Sequence, residues 1–462
     1  MLPHSTAFSA ALDKQIRRAG TCEVKITFSD STEYTVDQYK VESVETFTKN
    51  DPLSRRFPEE GASVVLIDFE EAWNPDAPNN IISKFENPAT ATIRFGIDMG
   101  NGTTEWCSIC KYHIVEKPTW SKYRATIKMV RRLGSLSGTF YQFEPDTQFV
   151  KGLADSVFTA SGDTGSHVYD TNLSVYQIYK HQYIPVCSIR DALLTIAAAT
   201  KSCLLTDWTG AIHIVDRYLA SCSKHYSVVK ARDMYERPSA DRIPKIRNEI
   251  VKVMRNPETE EIARTVLDYS SNDDPDGSQF YQFDAPVVVN TISYSGSENV
   301  SNSAFLTYNL GLVPMTIVRT DPSQPYRVVV SAKPRTPKSE MKTYVIDANG
   351  QEDETFENGL VNKLHSGDLA LYRGRYLKNT RSLYSINYRG DPTIEALDLI
   401  RVELPFEGVQ TCIVLEATFR YSAGFSGTLI VRKLDEVATA QTIESAVSDQ
   451  AVSDEATSDE DS

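Results

Sequence analysis

The stretch FGIDMGNGTTEW, residues 95–106, admits two readings that lead to different folds. In one, an apolar strand ends in Asp98 and glycine-rich backbone follows, ready to cradle phosphates with its amides. In the other, Asn101-Gly102 is the tight turn of a β-hairpin. Both positions of such a turn need positive φ, which Asn and Gly tolerate. The residues on either side decide between them. Upstream, 22–28 (CEVKITF), 34–39, 63–69 (SVVLIDF) and 87–95 alternate apolar and polar side chains with the period of a half-buried strand. Downstream, EWCSICKYHIVEKP and YRATIKMVRRL do the same. The stretch therefore sits inside a run of strands, and the hairpin reading predicts β-structure from residue 20 to about residue 130.

The phosphate reading belongs to actin-like ATPases, which need a second Asp-x-Gly loop and a Gly-Gly turn. The chain contains no Gly-Gly pair, no second loop in a suitable context, and some 95 residues ahead of the motif. No nucleotide site is expected at Asp98 or Thr103.

The chain has 462 residues, 41% of them hydrophobic, enough for roughly two to four domains. Tyr (23) and Phe (18) are abundant, which favours strands. The net charge is −14, and nine acids lie after Lys433 with no compensating base. The remaining body is mildly acidic and offers no electrostatic reason to bind nucleic acid. Seven scattered Cys suggest neither a disulfide framework nor an oxidising compartment. The opening MLPHSTAFSAALDKQIRRAG lacks the apolar run of a secretory leader. No 18-residue apolar stretch occurs, so no membrane insertion is expected.

A helical pattern begins at Ser188 in SIRDALLTIAAATKSCLLTDWTGAIHIV. Ser188 can cap the helix, with Asp191 three residues on. Leu193, Leu194 and Ile196 give a wide apolar face. The reading is a helix over 188–200 docked on a hairpin over 203–215, its turn at 207–210 carrying Gly210. Residues 246–266 read as a helix or as a hairpin turning at Asn256-Pro257, and the hairpin is favoured because Pro257 breaks the periodic run. Strands follow in VVVNTISY, AFLTYNL, MTIVRT, YRVVVSA and KTYVIDA. A helix is expected with Leu369, Tyr372, Tyr376 and Leu377 on one face. Strands are then expected at 383–388, 399–404, 412–421 and 428–433. Residues 446–460 are three copies of a five-residue acidic unit, too polar to fold alone, so a disordered tail is expected from Asp435.

Candidate chemistry is sparse. Cys107-x-x-Cys110-x-x-His113 is half a zinc site with no second ligand pair; buried side chains in a sheet explain it better. Asp274-x-Asp276-Gly277 lacks the rest of a calcium loop. Arg389-Gly390-Asp391 is read as a tight turn. No cofactor, metal or catalytic set is expected.

Two segments together resemble a known family. The helix–hairpin at 188–215 is similar to a recurrent element of baseplate hub and tail-tip proteins of tailed bacteriophages. The run YSINYRGDPTIEALDLIRVE, followed by CIVLEATFRYSAGFSGTLIVRK, resembles the end of the same proteins: a strand, an Arg389-Gly390-Asp391-Pro392 turn, Asp398 entering the next strand, and a last hairpin with Gly427. The resemblance implies a mainly β protein with α+β insertions. It would have two tail-tube-like β-barrel domains plus smaller α+β domains: an N-terminal β-domain (1–135), an α+β domain (136–237), a second β-domain (238–434) and the acidic tail (435–462). It further implies a virion structural protein made in the host cytoplasm. This would be a homotrimeric ring subunit around a DNA channel, joining the tail tube or distal tail protein to a tip fibre or spike. The alternative is a phage receptor- or carbohydrate-binding appendage; a cell-wall hydrolase ranks third with the actin-like ATPase.

Overall fold

The computed structural model describes residues 4–14, 20–53, 56–99, 101–107, 110–141, 148–178, 182, 184–215, 228–242, 244–272, 278–282, 287–295, 297–299, 306–307, 312–319, 323, 325–379, 382–404, 407–422 and 424–434. The acidic repeat and the Asp274 loop lie outside the described residues.

Most of the chain is strand. The largest sheet has fifteen strands and draws on both ends of the sequence. Its N-terminal half runs Val41–Lys49, Glu59–Ile67, Arg124–Val130, Cys110–Ile114, Ala89–Asp98, Gly20–Thr27 and Glu33–Thr35. Its C-terminal half runs Gly408–Tyr421, Phe425–Lys433, Ser382–Tyr388 and Ser239–Arg242. The halves meet where Val41–Lys49 pairs antiparallel with Gly408–Tyr421, from Val44↔Tyr421 to Lys49↔Glu416. Alternation explains the strands themselves: in Gly20–Thr27, Cys22, Val24 and Ile26 are buried while their neighbours are half-buried. Phe419 and Phe425 cross the seam into the N-terminal core, where Phe419 meets Phe95 edge-on at 4.7 Å between ring centroids.

Two closed barrels do not form among the described residues. The hydrogen-bonded path is open, running from Ser239–Arg242 at one edge to Glu33–Thr35 at the other. One seam joins what the sequence suggests as separate units.

A second sheet of six strands is built on Tyr326–Val345, which pairs along its length with Ile246–Thr259, Arg264–Ser271 and Val287–Ser295. This corrects two expectations. The runs YRVVVSA and KTYVIDA are one strand, and the chain does not turn at Asn256-Pro257. Instead the register slips by a bulge between Arg255 and Glu258, opposite Pro337. A bulge leaves a ladder position unpaired, so a proline there costs no inter-strand bond. The residues 34–39 are also not one strand. The strand ends at Thr35, because the Asp37 carboxylate accepts from the Tyr39 amide at 3.0 Å and starts a tight 3-10 turn.

Between the sheets lies the α+β segment. The helix Ile189–Ala199 is capped as its sequence indicates: the Asp191 amide donates to Ser188 Oγ at 3.1 Å. It packs beside Val150–Ala160, a helix the sequence reading passed over although its apolar residues follow helical spacing. These helices share one core with Val251, Val253 and Phe356 of the six-stranded sheet and with Leu369 of the helix Lys363–Asn379. Residues 238–434 thus supply strands to three different sheets: the fifteen-stranded one, the six-stranded one, and a three-stranded one of Ser278–Gln282, Leu312–Arg319 and Ser297–Asn299. Among the described residues no helix is long and apolar enough to cross a membrane.

Candidate functional site

The Asn101-Gly102 stretch closes a hairpin between Ala89–Asp98 and Thr104–Trp106, with Asp98 opposite Thr104. Gly102 has φ +82, and Asn101 Oδ1 accepts from the Thr103 amide at 3.1 Å. The Thr103 amide, one that a phosphate loop would use, is thereby committed to the turn. Cys107 and Cys110 are both buried. The Cys107 Sγ accepts from the Phe95 amide at 3.4 Å. Among the described residues no three His, Cys, Asp or Glu side chains converge as metal ligands.

The structure does bring together the two segments that carry the resemblance. Cys203 and Leu205 of the helix–hairpin are buried against Leu397, Ile413 and Leu415 of the C-terminal segment. Polar contacts lock the same junction. The Asn50 side chain donates to Leu204 O at 2.6 Å, while the Asn50 amide donates to Leu415 O at 2.8 Å.

Arg131 sits at the centre. It follows the strand Arg124–Val130 and is almost wholly buried. Its guanidinium donates to Thr206 O at 3.1 Å, to Cys110 Sγ at 2.9 Å and to Glu395. Its own amide donates to Glu60 O at 3.0 Å. Thr206, the last residue of the strand Cys203–Thr206, is held at every polar atom. Its amide donates to the Glu60 carboxyl at 3.1 and 3.3 Å, and its hydroxyl accepts from the Leu133 amide at 3.1 Å. Four stretches far apart in sequence therefore meet at one cation: Glu60, Arg131, Thr206 and Glu395.

Burial raises the Glu395 carboxyl, and positive charge, that of Arg131 first, lowers it, leaving it below the ordinary glutamate range. Glu60 has Arg131 nearby as well, but burial dominates and pushes its pKa up to about 7. Burial also pushes Asp398 up; its carboxyl accepts from the Glu395 amide at 2.8 Å.

The other sequence-selected residues are placed as follows. Leu193 and Ile196 are fully buried, and Leu194 is only half-buried at the edge of that core. Gly210 has φ +90 in the turn of residues 207–210, where Asp207 accepts from the Thr209 and Ala211 amides. The Arg389 guanidinium lies 3.6 Å from Asp233. Asp391 accepts from the Thr393 amide at 2.9 Å, and Pro392 is buried. Gly390 (φ +76) and Gly427 pass each other closely. A Cβ on Gly390 would stand 2.6 Å from Ser426 backbone, and one on Gly427 would stand 2.7 Å from Tyr388. The sequence reading missed Glu60, Arg131 and Glu395. The available signal was a charged residue ending or interrupting an apolar run, as in IKMVRRL and PTIEALDLI.

No protein-family profile and no curated protein sequence matches the chain. Solved structures do. The fold is similar to those of bacteriophage tail proteins. The 43 kDa tail protein of prophage MuSo2 from Shewanella oneidensis aligns over 89% of this chain and 98% of its own, with 10% identity and a TM-score of 0.45. A tail protein from Neisseria meningitidis aligns over 89% and 96%, with 10% identity and a TM-score of 0.46. The prophage tail protein gp18 from Listeria monocytogenes aligns over 92% and 98%, with 7% identity and a TM-score of 0.40.

Proposed function

We propose that the chain is a structural subunit of a phage tail tip, a baseplate hub that joins the tail tube to the distal fibre or spike. One observation carries the reading: the two segments that resemble hub proteins, 188–215 and 384–433, pack against each other in one core and are tied through Arg131 to the N-terminal strands. A hub bears load between a tube and a tip, and a buried junction tying distant segments suits that. The trimer around a DNA channel, the division into 1–135, 136–237, 238–434 and an acidic tail, and action without cofactor or catalysis belong to the same proposal. A mildly acidic body also lets DNA slide without adhering.

A second reading, a receptor- or carbohydrate-binding appendage, is favoured by one feature. Tyr39, Phe69 and Tyr123 stand exposed at loops around one end of the N-terminal strands, with Phe69 and Tyr123 in ring contact at 6.1 Å. Negative-stain images of the purified protein separate the two. The hub reading expects rings with an open bore. Monomers or slender fibre-like trimers that bind glycans would overturn it in favour of the appendage.

A further inference from the structure

Asn-Gly occurs at residues 101–102, 349–350 and 358–359. The amide nitrogen of the glycine can attack the carboxamide carbon of the asparagine, and a glycine has no Cβ to shield that nitrogen. The fold places the three pairs in different surroundings. Asn101 and Gly102 lie exposed at the tip of their hairpin. The Thr103 amide and hydroxyl both donate to Asn101 Oδ1, at 3.1 and 2.5 Å. The bond from the amide closes a ring that contains both Asn101 Cγ and the Gly102 nitrogen, so the turn folds the two reacting atoms toward each other. The same two donors polarise the carbonyl and stabilise negative charge as it develops on Oδ1. Open space lies where a Cβ on Gly102 would stand.

The other pairs are held back. Asn349 is exposed, but the Gly350 amide donates to Asp347 O at 2.8 Å, and a Cβ on Gly350 would stand 2.4 Å from Arg247 backbone. That nitrogen must give up its bond before it can attack. Asn358 is buried. It has the same kind of turn, its Oδ1 accepting from the Leu360 amide at 2.9 Å, yet its Nδ2 donates to Thr195 O at 2.8 Å, which holds the leaving nitrogen in place.

We propose that Asn101 is a self-modification site, activated by its own turn, where the hairpin tip converts to aspartate and isoaspartate without an enzyme. The Gly102 nitrogen loses its proton and bonds to Asn101 Cγ. The Cγ–Nδ2 bond breaks, and Nδ2 leaves as ammonia with an equivalent proton. The cyclic imide then takes up one water. Opening at one carbonyl gives aspartate; opening at the other gives isoaspartate, whose main chain is one carbon longer. Either product adds a negative charge to the tip, and the longer one no longer fits the turn that sets Asp98 opposite Thr104.

Ageing the intact protein in mildly alkaline buffer tests this, read by peptide mapping with fragmentation that separates isoaspartate from aspartate. Asn101 should convert first. Asn349 and Asn358 should each lag by about fivefold or more, the equilibrium cost of giving up one hydrogen bond. An Asn101 that stays intact, or that either of the others matches, would overturn the proposal. Thr103→Val keeps the side chain's shape and the backbone amide but removes the hydroxyl donor. It should slow conversion severalfold, and an unchanged or faster rate would overturn activation by the turn.

Discussion

Of the three arginines buried among the described residues, Arg131 and Arg373 do different work. Arg131 ties Glu60, Cys110, Thr206 and Glu395, residues from four separate stretches of sequence. Arg373, on the helix Lys363–Asn379, donates to Glu249 at 2.5 Å and lies over the Phe356 ring at 4.5 Å. Both of those partners belong to the sheet on which the helix packs. Its second acid, Glu354, is 3.5 Å away and keeps 41% of its side-chain exposure, so solvent shares that charge. At Arg131, Glu60 is buried and Glu395 keeps only 16% of its side-chain exposure. A buried cation that docks a helix on its own sheet is a local fastening. One that bonds to Cys110, Thr206 and Glu395 at once joins segments that no local contact would hold together.

The sharpest way to break this comparison is to remove each cation. Losing one partner of a buried ion pair costs about 3–5 kcal/mol, because the other charge is left without compensation. Arg131→Met should fall at the top of that range and raise exchange both in 203–206 and in the strand Cys110–Ile114. Arg373→Met should fall at the bottom and raise exchange only in its helix and in Ile246–Thr259. Urea unfolding gives the costs, and peptide-resolved exchange gives the spread. Identical spreads for the two variants would erase the distinction.

The helix behind the junction offers a finer contrast. Leu193 is fully buried and Leu194 half-buried. Leu193→Ala should cost about 2–5 kcal/mol. Leu194→Ala should cost clearly less, and a reversed order would mean the helix is rotated on its core. The Gly390 turn comes next. Its φ of +76 and its approach to Ser426 backbone predict about 1–3 kcal/mol for Gly390→Ala. At the other extreme stands Arg124, whose pair with Glu42 is open to water. Arg124→Ala should change stability least of these substitutions, and less still in high salt.

What could be read from sequence follows the range of the interactions involved. The Ser188 cap, the Asn101-Gly102 hairpin and the alternation of 20–28 are local, and local chemistry fixes them. The strand Val41–Lys49 escaped notice because polar residues fill it: of its nine residues only Val44 and Thr48 are buried. The fusion of both chain ends into one sheet was equally invisible, since it rests on pairing Val44 with Tyr421. Pro257 misled for a different reason. A proline predicts a break only where its missing amide would be used, and here it falls in a bulge. The junction residues carry no motif at all. Glu60, Arg131 and Glu395 acquire meaning only once the 334 residues between Glu60 and Glu395 have folded them together.

The measurement that bears most directly on the proposed role is cryo-electron microscopy of intact phage particles carrying this chain. The hub reading predicts density for it at the distal end of the tail, three copies around an axial channel beneath the tube, with residues 203–215 seated against the large sheet in each. Density on the capsid, or in isolated lateral fibres, would contradict it.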